Sequence, residues 1–298
     1  DFRERIRVNG VKISKKFVVD FISKYKTSFE QVNMSFFEMN VAMAFNYFIF
    51  QKVDFAIIEV GLGGRLDATN VICPLLSIIT NISIDHTNLL GDSLELITAE
   101  KAGIIKQGRP VLVGEKNICS HIIKDTAKRL HAPINYASVH NYISDLKGEY
   151  QKKNINTCVS ALDILRPICN VQHKDIVTGL LNVVKNTGIL GRWQVLNNSP
   201  LVICDIAHNH SSIELVVNQL LKLKKNTYII LGLSKDKEID SIVSLFPKKF
   251  KYYLCGSHNS RILEPSKLSE YFNQNNLNCE VFDFVFEAYD SLLTKSEE

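Results

Sequence analysis

The side chains best suited to chemistry stand in a few short strings. In VDFAIIEVGLGGRLDATN, Val53 to Asn70, an apolar run at Phe55 to Ile58 leads into Glu59, then Gly61, Gly63 and Gly64, then Arg65 and Asp67. A buried strand that runs into glycines delivers its last side chains to the open edge of a sheet, where open α/β sheets bind ligands. Glu59, Arg65 and Asp67 would therefore form a charged cluster where a ligand sits. In NISIDHTNLLG, Asp85 and His86 lie just beyond a second apolar run, Leu75 to Thr80. Two successive strands that end in acidic or imidazole side chains make the arrangement expected of a metal or phosphate site. In DIAHNHSS a further strand, Leu201 to Cys204, ends in Asp205 with His208 beyond it. Each string also has a plainer reading. A glycine loop with polar residues is an ordinary turn facing water, a lone histidine is a hydrogen-bonded structural residue, and Glu100-Lys101 is a solvated pair on a helix face.

The elements that must position these residues are legible from periodicity. Arg5 to Ile13 alternates around Asn9-Gly10, a dipeptide suited to a tight hairpin turn. Apolar residues from Ile13 to Tyr25 recur at helical spacing with Ser14 placed to cap. Ser35 to Lys52 is apolar almost all round, which predicts a helix packed on every side, with Glu38 in its first turn where the dipole favours an acid. Helices follow at Leu94 to Ile105, Lys116 to Leu130, Gln151 to Leu165 and Ile176 to Val184, with strands at Val111 to Val113 and Ile134 to Val139. The run from Lys185 to Pro200, rich in Gly and Asn, is the boundary candidate. Beyond it, strands at Leu201 to Cys204, Tyr228 to Leu231, Tyr252 to Cys255 and Val281 to Phe284 alternate with helices, the pattern of a parallel α/β domain.

The 298 residues favour two domains over one, and a hydrophobic share of 46% with 22% charged residues describes a globular protein. A net charge of +4 spread along the chain suits an anionic substrate but is too small to argue for nucleic acid. The most apolar segment, Phe36 to Phe50, carries Glu38, Asn40 and Asn46 and is too short to span a membrane. Seven cysteines without any C-x-x-C spacing read as buried thiols of a reducing cytoplasm.

Taken in order, EVGLGGRLDATN, DHTNLLG, EKAGI, GRW and DIAHN resemble the folylpolyglutamate synthase and dihydrofolate synthase family of the Mur ligase superfamily. The resemblance implies a central ATP- and folate-binding α/β domain with a mainly parallel sheet over residues 1–187, and a C-terminal Rossmann-like α/β domain over 188–298. It implies a cytoplasmic, monomeric enzyme that uses ATP to phosphorylate a carboxylate and joins it to L-glutamate, the acceptor being dihydropteroate or a folate. Under it, Glu59 and His86 would hold Mg²⁺, with two metal sites in all, and Lys101 would be carried as a carbamate, which needs a depressed amine pKa. Ser35, Phe36, Phe37 and Glu38, with Leu66, Asp67 and Ala68, would line the pterin pocket. Asn154, Arg192 and Asp205 would contact ATP, His208 would approach the terminal phosphate, and closure about Gly188 to Gly191 would complete the site.

The chain departs from that pattern in one large respect: no Gly-Lys-Ser or Gly-Lys-Thr string occurs in it. The expectation is a chain truncated at both ends, inactive by itself, whose full reading frame is active. His210, where many relatives have proline, is a smaller departure. A Mur-type ligase of cell-wall synthesis and a non-catalytic remnant that lost its phosphate loop are the competing readings.

Overall fold

Asn9 and Gly10 both adopt positive φ, 51° and 80°, and so join β1 (Arg7–Val8) to β2 (Val11–Lys12) as a tight antiparallel hairpin. Ser14 then accepts from Phe17 N–H and starts α1 (Lys15–Gln31), and Ser35 starts α2 (Phe36–Gln51). The two helices and the hairpin share a core of Ile6, Ile13, Phe21, Met43 and Tyr47. After the glycine loop come β3 (Ser77–Ile79), α3 (Thr87–Leu90), α4 (Leu94–Ala102), β4 (Val111–Val113), α5 (Ser120–Arg129) and β5 (Ile134–Tyr136). These strands form a parallel sheet in the order β3-β4-β5, and its central strand is wholly buried. Next are α6 (Gln151–Leu165), α7 (His173–Leu181) and α8 (Val183–Thr187).

The computed structural model describes residues 1–297 and divides into two units. The first comprises Asp1–Leu146 and Gln151–Leu190; the second comprises the chain from Gly191 onward together with the short segment Lys147–Tyr150. In the second unit β6 (Gln194–Asn198) and β7 (Leu201–Cys204) form an antiparallel pair, followed by α9 (His210–Lys222). Then β8 (Tyr228–Leu231), α10 (Ile239–Val243), β9 (Lys251–Cys255), α11 (Pro265–Gln274), β10 (Cys279–Phe282) and α12 (Val285–Glu297) build a parallel sheet in the order β10-β9-β8. Its core gathers Tyr252, Leu254, Leu268, Phe272 and Val243 with neighbours from α9. Among the described residues no helix is long and apolar enough to cross a membrane.

The structure corrects four expectations. Phe55 to Ile58 is not a strand: Val53 to Val60 pairs with no strand among the described residues, and Ile57 is 98% exposed. An apolar run becomes a strand only when a ladder partner satisfies its backbone. The second helix is not covered on every side, since Phe36, Ile49 and Phe50 are exposed while Asn40, Met43 and Tyr47 are buried. Leu201–Cys204 belongs to the β6-β7 hairpin and not to the parallel sheet, because the segment expected to be a boundary loop supplies its partner strand. The cysteines are all free, but Cys73 and Cys158 are exposed and only Cys119, Cys169 and Cys255 are buried.

Candidate active site

In the first unit the glycine loop is clamped between α2 and the end of α4. A side chain at Gly61 would lie 2.4 Å from the Phe37 ring, and one at Gly64 would lie 2.8 Å from the carbonyl oxygen of Glu100. Only a residue without Cβ permits approaches this close. Arg65 N–H donates to Glu100 C=O at 2.9 Å, and the Arg65 guanidinium reaches the Glu100 carboxylate through Nη2 at 2.9 Å and Nε at 3.0 Å. The Asn70 amide donates to Gly103 C=O at 3.0 Å and to Arg65 C=O at 3.1 Å, while Lys106 Nζ donates to Asn70 C=O at 2.7 Å. RLDATN is thus buttoned onto EKAGI by backbone and side chain together.

That lock holds Lys101. Its side chain is half-buried, and burial pushes the amine below the usual lysine range while the nearby Asp85 carboxylate opposes the shift. Asp85 also accepts from His86 N–H at 2.8 Å, and His86, in the left-handed region at φ 53°, stands at the head of α3 with Nε2 3.9 Å from Asp85 Oδ2. The Glu59 carboxylate is exposed, and no side chain among the described residues pairs with it. Among the described residues no group of three or more His, Cys, Asp and Glu side chains converges as a metal centre.

Several residues singled out by sequence have structural work. Ser35 and Glu38 form a reciprocal capping box, with Glu38 N–H donating to Ser35 Oγ at 3.3 Å and Ser35 N–H donating to Glu38 Oε2 at 2.7 Å. Those bonds from Ser35 hold the Glu38 carboxyl below its ordinary range. Asp67 ties the glycine loop shut by accepting from Leu62 N–H at 2.9 Å, Thr69 N–H at 2.9 Å and Thr69 Oγ1 at 2.5 Å. Phe36 and Leu66 are exposed, Ala68 is half-buried, and Phe37 packs on the loop. Asn154, exposed in the first turns of α6, gives its amide to Gln151 Oε1 at 2.9 Å.

In the second unit Asp205 is an acceptor for its own loop. Oδ2 takes Trp193 N–H at 2.8 Å and the Tyr150 hydroxyl at 2.7 Å, and Oδ1 takes Ala207 N–H at 2.9 Å. The Arg192–Trp193 turn, with Trp193 at φ 49°, is fixed through that carboxylate. Arg192 itself is half-buried and has no acidic partner among the described residues. His208 precedes the α9 cap, its Nδ1 3.0 Å from Ile206 C=O. Sequence reasoning missed Asn70, Tyr150 and Gly148; a lone asparagine, tyrosine or glycine in a loop carries no periodicity to reveal it.

The two units are α/β folds with parallel sheets, the architecture of Mur-type ligases, and residues 191–298 match the family described as "Mur ligase, glutamate ligase domain". The dihydrofolate synthase/folylpolyglutamate synthase of Buchnera aphidicola subsp. Schizaphis graminum is 30% identical over 295 residues, covering 93% of this chain and 69% of that protein. Escherichia coli FolC in complex with ADP and without folate substrate aligns with a TM-score of 0.87 at 27% identity, over 99% of this chain and 74% of that one. The Yersinia pestis bifunctional folylpolyglutamate synthase/dihydrofolate synthase complexed with AMPPNP and Mn ion aligns with a TM-score of 0.85 at 25% identity, over 99% and 73%. The chain belongs to the dihydrofolate synthase/folylpolyglutamate synthase family, whose members are ATP-dependent ligases.

Proposed function

We propose that the protein works in the ATP-dependent joining of L-glutamate to dihydropteroate, to the glutamate tail of folates, or to both, through an acyl phosphate. The observation that carries this reading is the lock of RLDATN on EKAGI, which holds the helix of a half-buried Lys101 whose amine stands near Asp85, the carboxylate that also engages His86. Carbon dioxide adds to the neutral amine, releasing a proton to solvent, and a lowered pKa favours that neutral form, so Lys101 is the residue to carry a carbamate, which puts a negative charge where an ammonium would stand. A divalent cation fits this donor set: Glu59 has no side-chain partner among the described residues, His86 is oriented by Asp85, and a carbamate on Lys101 would add oxygen ligands where no group of three His, Cys, Asp or Glu side chains converges among the described residues. Mg²⁺ keeps several waters and binds largely through substrate phosphates, so it does not need an all-protein cage. When bound, it would neutralise charge on the transferred phosphoryl group.

The remaining roles follow from what each side chain has left to give. Phe37, held against the loop, and the exposed Phe36 offer flat aromatic area to a pterin ring, the exposed Leu66 adds apolar contact, and Ser35, Glu38, Asp67 and Ala68 shape the wall. Arg192, with no acidic partner among the described residues, offers its guanidinium to nucleotide phosphate. Asn154 offers its amide, and Asp205 keeps the Arg192–Trp193 turn in place. His208, whose Nδ1 is engaged with a carbonyl, presents Nε2. A carboxylate is a poor electrophile until phosphorylation supplies a leaving group, and that transfer asks for positioning and cations rather than a protein nucleophile.

Binding is the direct test, because the 298 residues hold no Gly-Lys-Ser/Thr phosphate turn. Calorimetric titration should give a dihydropteroate affinity that falls in Phe37→Ala and a Mg-nucleotide affinity that falls in Arg192→Ala, each variant sparing the other ligand. Binding of a nucleotide-sugar cell-wall precursor in place of dihydropteroate would overturn the reading.

A further inference from the structure

Tyr150 lies in a segment with an unusual allegiance. Lys147–Tyr150 leaves the first unit after Leu146 and returns to it at Gln151, yet it belongs with the second. Its backbone is held there by one buried side chain of α9: Gln219 Oε1 accepts from Glu149 N–H at 2.8 Å, and Gln219 Nε2 donates to Lys147 C=O at 3.2 Å. Lys222 pairs with Glu149 beside it. Gly148 is buried, and a Cβ there would lie 2.6 Å from the Tyr150 ring. The missing side chain lets the phenol fold back over the strap, and that posture carries its hydroxyl to Asp205 Oδ2 at 2.7 Å.

We infer that Tyr150 is a positioning residue for nucleotide binding: its hydroxyl, aimed by Gly148, fixes the Asp205 carboxylate that in turn holds the Arg192–Trp193 turn. The same oxygen, Oδ2, takes both the Tyr150 hydroxyl and Trp193 N–H. A carboxylate oxygen that loses one donor is free to rotate or to take water, and the turn it anchors loosens. The inference rests on Arg192 being a nucleotide contact; the hold on the turn does not.

Trp193 is the only tryptophan in the chain and is buried, so its emission reports on the turn alone. The test uses the 298-residue chain with Tyr150→Phe, Gly148→Ala and, as a control on β8, Tyr228→Phe. Acrylamide quenching of Trp193, MgADP affinity and dihydropteroate affinity are measured for each. Y150F and G148A should each raise quenching and weaken MgADP about tenfold, the loss of one hydrogen bond to a charged group. Dihydropteroate affinity should stay unchanged in both, and Y228F should match the unaltered chain. Equal loss of both ligands would mean general loosening and would overturn the inference, as would Y150F with unaltered quenching. If the unaltered chain takes no MgADP, the nucleotide reading fails separately; increased quenching in Y150F then still upholds the hold of Tyr150 on the turn, and unchanged quenching overturns it.

Discussion

Gly64→Ala tests whether the glycine loop is a lock or merely a turn. The added Cβ would lie 2.8 Å from Glu100 O, 2.8 Å from Ile104 Cγ2 and 3.2 Å from Lys101 O, inside the ~3.5 Å at which carbon contacts are attractive. Two of these neighbours are backbone atoms of α4, so loop and helix must part. Overpacking of this kind costs about 1–3 kcal/mol. Parting also stretches the 2.9 Å Arg65 N–H to Glu100 C=O bond, adding about 1 kcal/mol. A total near 3 kcal/mol lowers Tm by about 6–12 °C for a unit of some 150–250 residues. Gly108→Ala is the comparison: at φ +66° with nothing within 4 Å, it costs only the left-handed backbone penalty of about 1–2 kcal/mol. Far-UV circular dichroism would follow the melt, with Trp193 emission reporting the second unit, and amide exchange at Arg65 would show whether its bond survives. If G64A melts with the unaltered protein and Arg65 exchanges no faster, the loop does not hold the helix and the account of Lys101 fails.

Asn70→Ala, which strips an amide from two carbonyls, should cost about 1–2 kcal/mol, more than Arg65→Met, whose ion pair is largely exposed and worth about 0–1 kcal/mol; chemical denaturation ranks them. Lys101→Met should stabilise the protein at neutral pH, because the folded state binds its amine proton less tightly than the unfolded one. The cost of keeping that lysine is fully present below its folded pKa and is relieved as pH rises through it toward the unfolded value, so the advantage of Lys101→Met must shrink in alkali; an advantage that grows would refute the sign. Equilibration with ¹³C-bicarbonate should give a carbamate carbon resonance that Lys101→Arg abolishes. Ser35→Ala should raise the Glu38 pKa toward its ordinary value in a carboxyl NMR titration, since Ser35 supplies the bonds that lower it. Stability from that box is present above the unfolded Glu38 pKa and is lost as pH falls through the folded one, so Ser35→Ala should flatten the acid limb. A thiol reagent should modify Cys73 in the native protein and spare Cys255, whose thiol burial pushes up to about 11.

Local chemistry made much of the fold readable. Asn9-Gly10, the Ser14 cap and the whole of Gln151–Leu165 stand where the sequence places them, because a turn dipeptide, a capping hydroxyl and a helical period act within a few residues. Strand identity was less legible, since it depends on a partner elsewhere. Val53 to Val60 has a strand's composition and no ladder, whereas Gln194–Asn198 has a loop's composition and finds one with Leu201–Cys204. At the site, residue types were legible and their employment was not. Arg65 and Asp67 look like a ligand's partners in a linear string, but the fold spends both on neighbouring groups of the same unit.

That expenditure separates the groups that build from the groups that remain for a ligand. Asp67 and Asp205 are the acids a sequence reader would offer to a ligand, and in both cases backbone N–H groups have already taken them. A carboxylate saturated this way is a poor site for further coordination and a good anchor, because its remaining lone pairs are few and its position is fixed. What each anchor holds still is the neighbour left to work: the loop under Lys101, whose amine stands near Asp85, in one unit, and the turn of Arg192, which has no acidic partner among the described residues, in the other. Removing an anchor should therefore weaken binding by letting the working side chain wander, while removing the working side chain should weaken binding and leave the loop intact. Amide exchange at Leu62 and Trp193 distinguishes the two, rising for Asp67→Ala and Asp205→Ala and staying unchanged for Lys101→Met and Arg192→Ala.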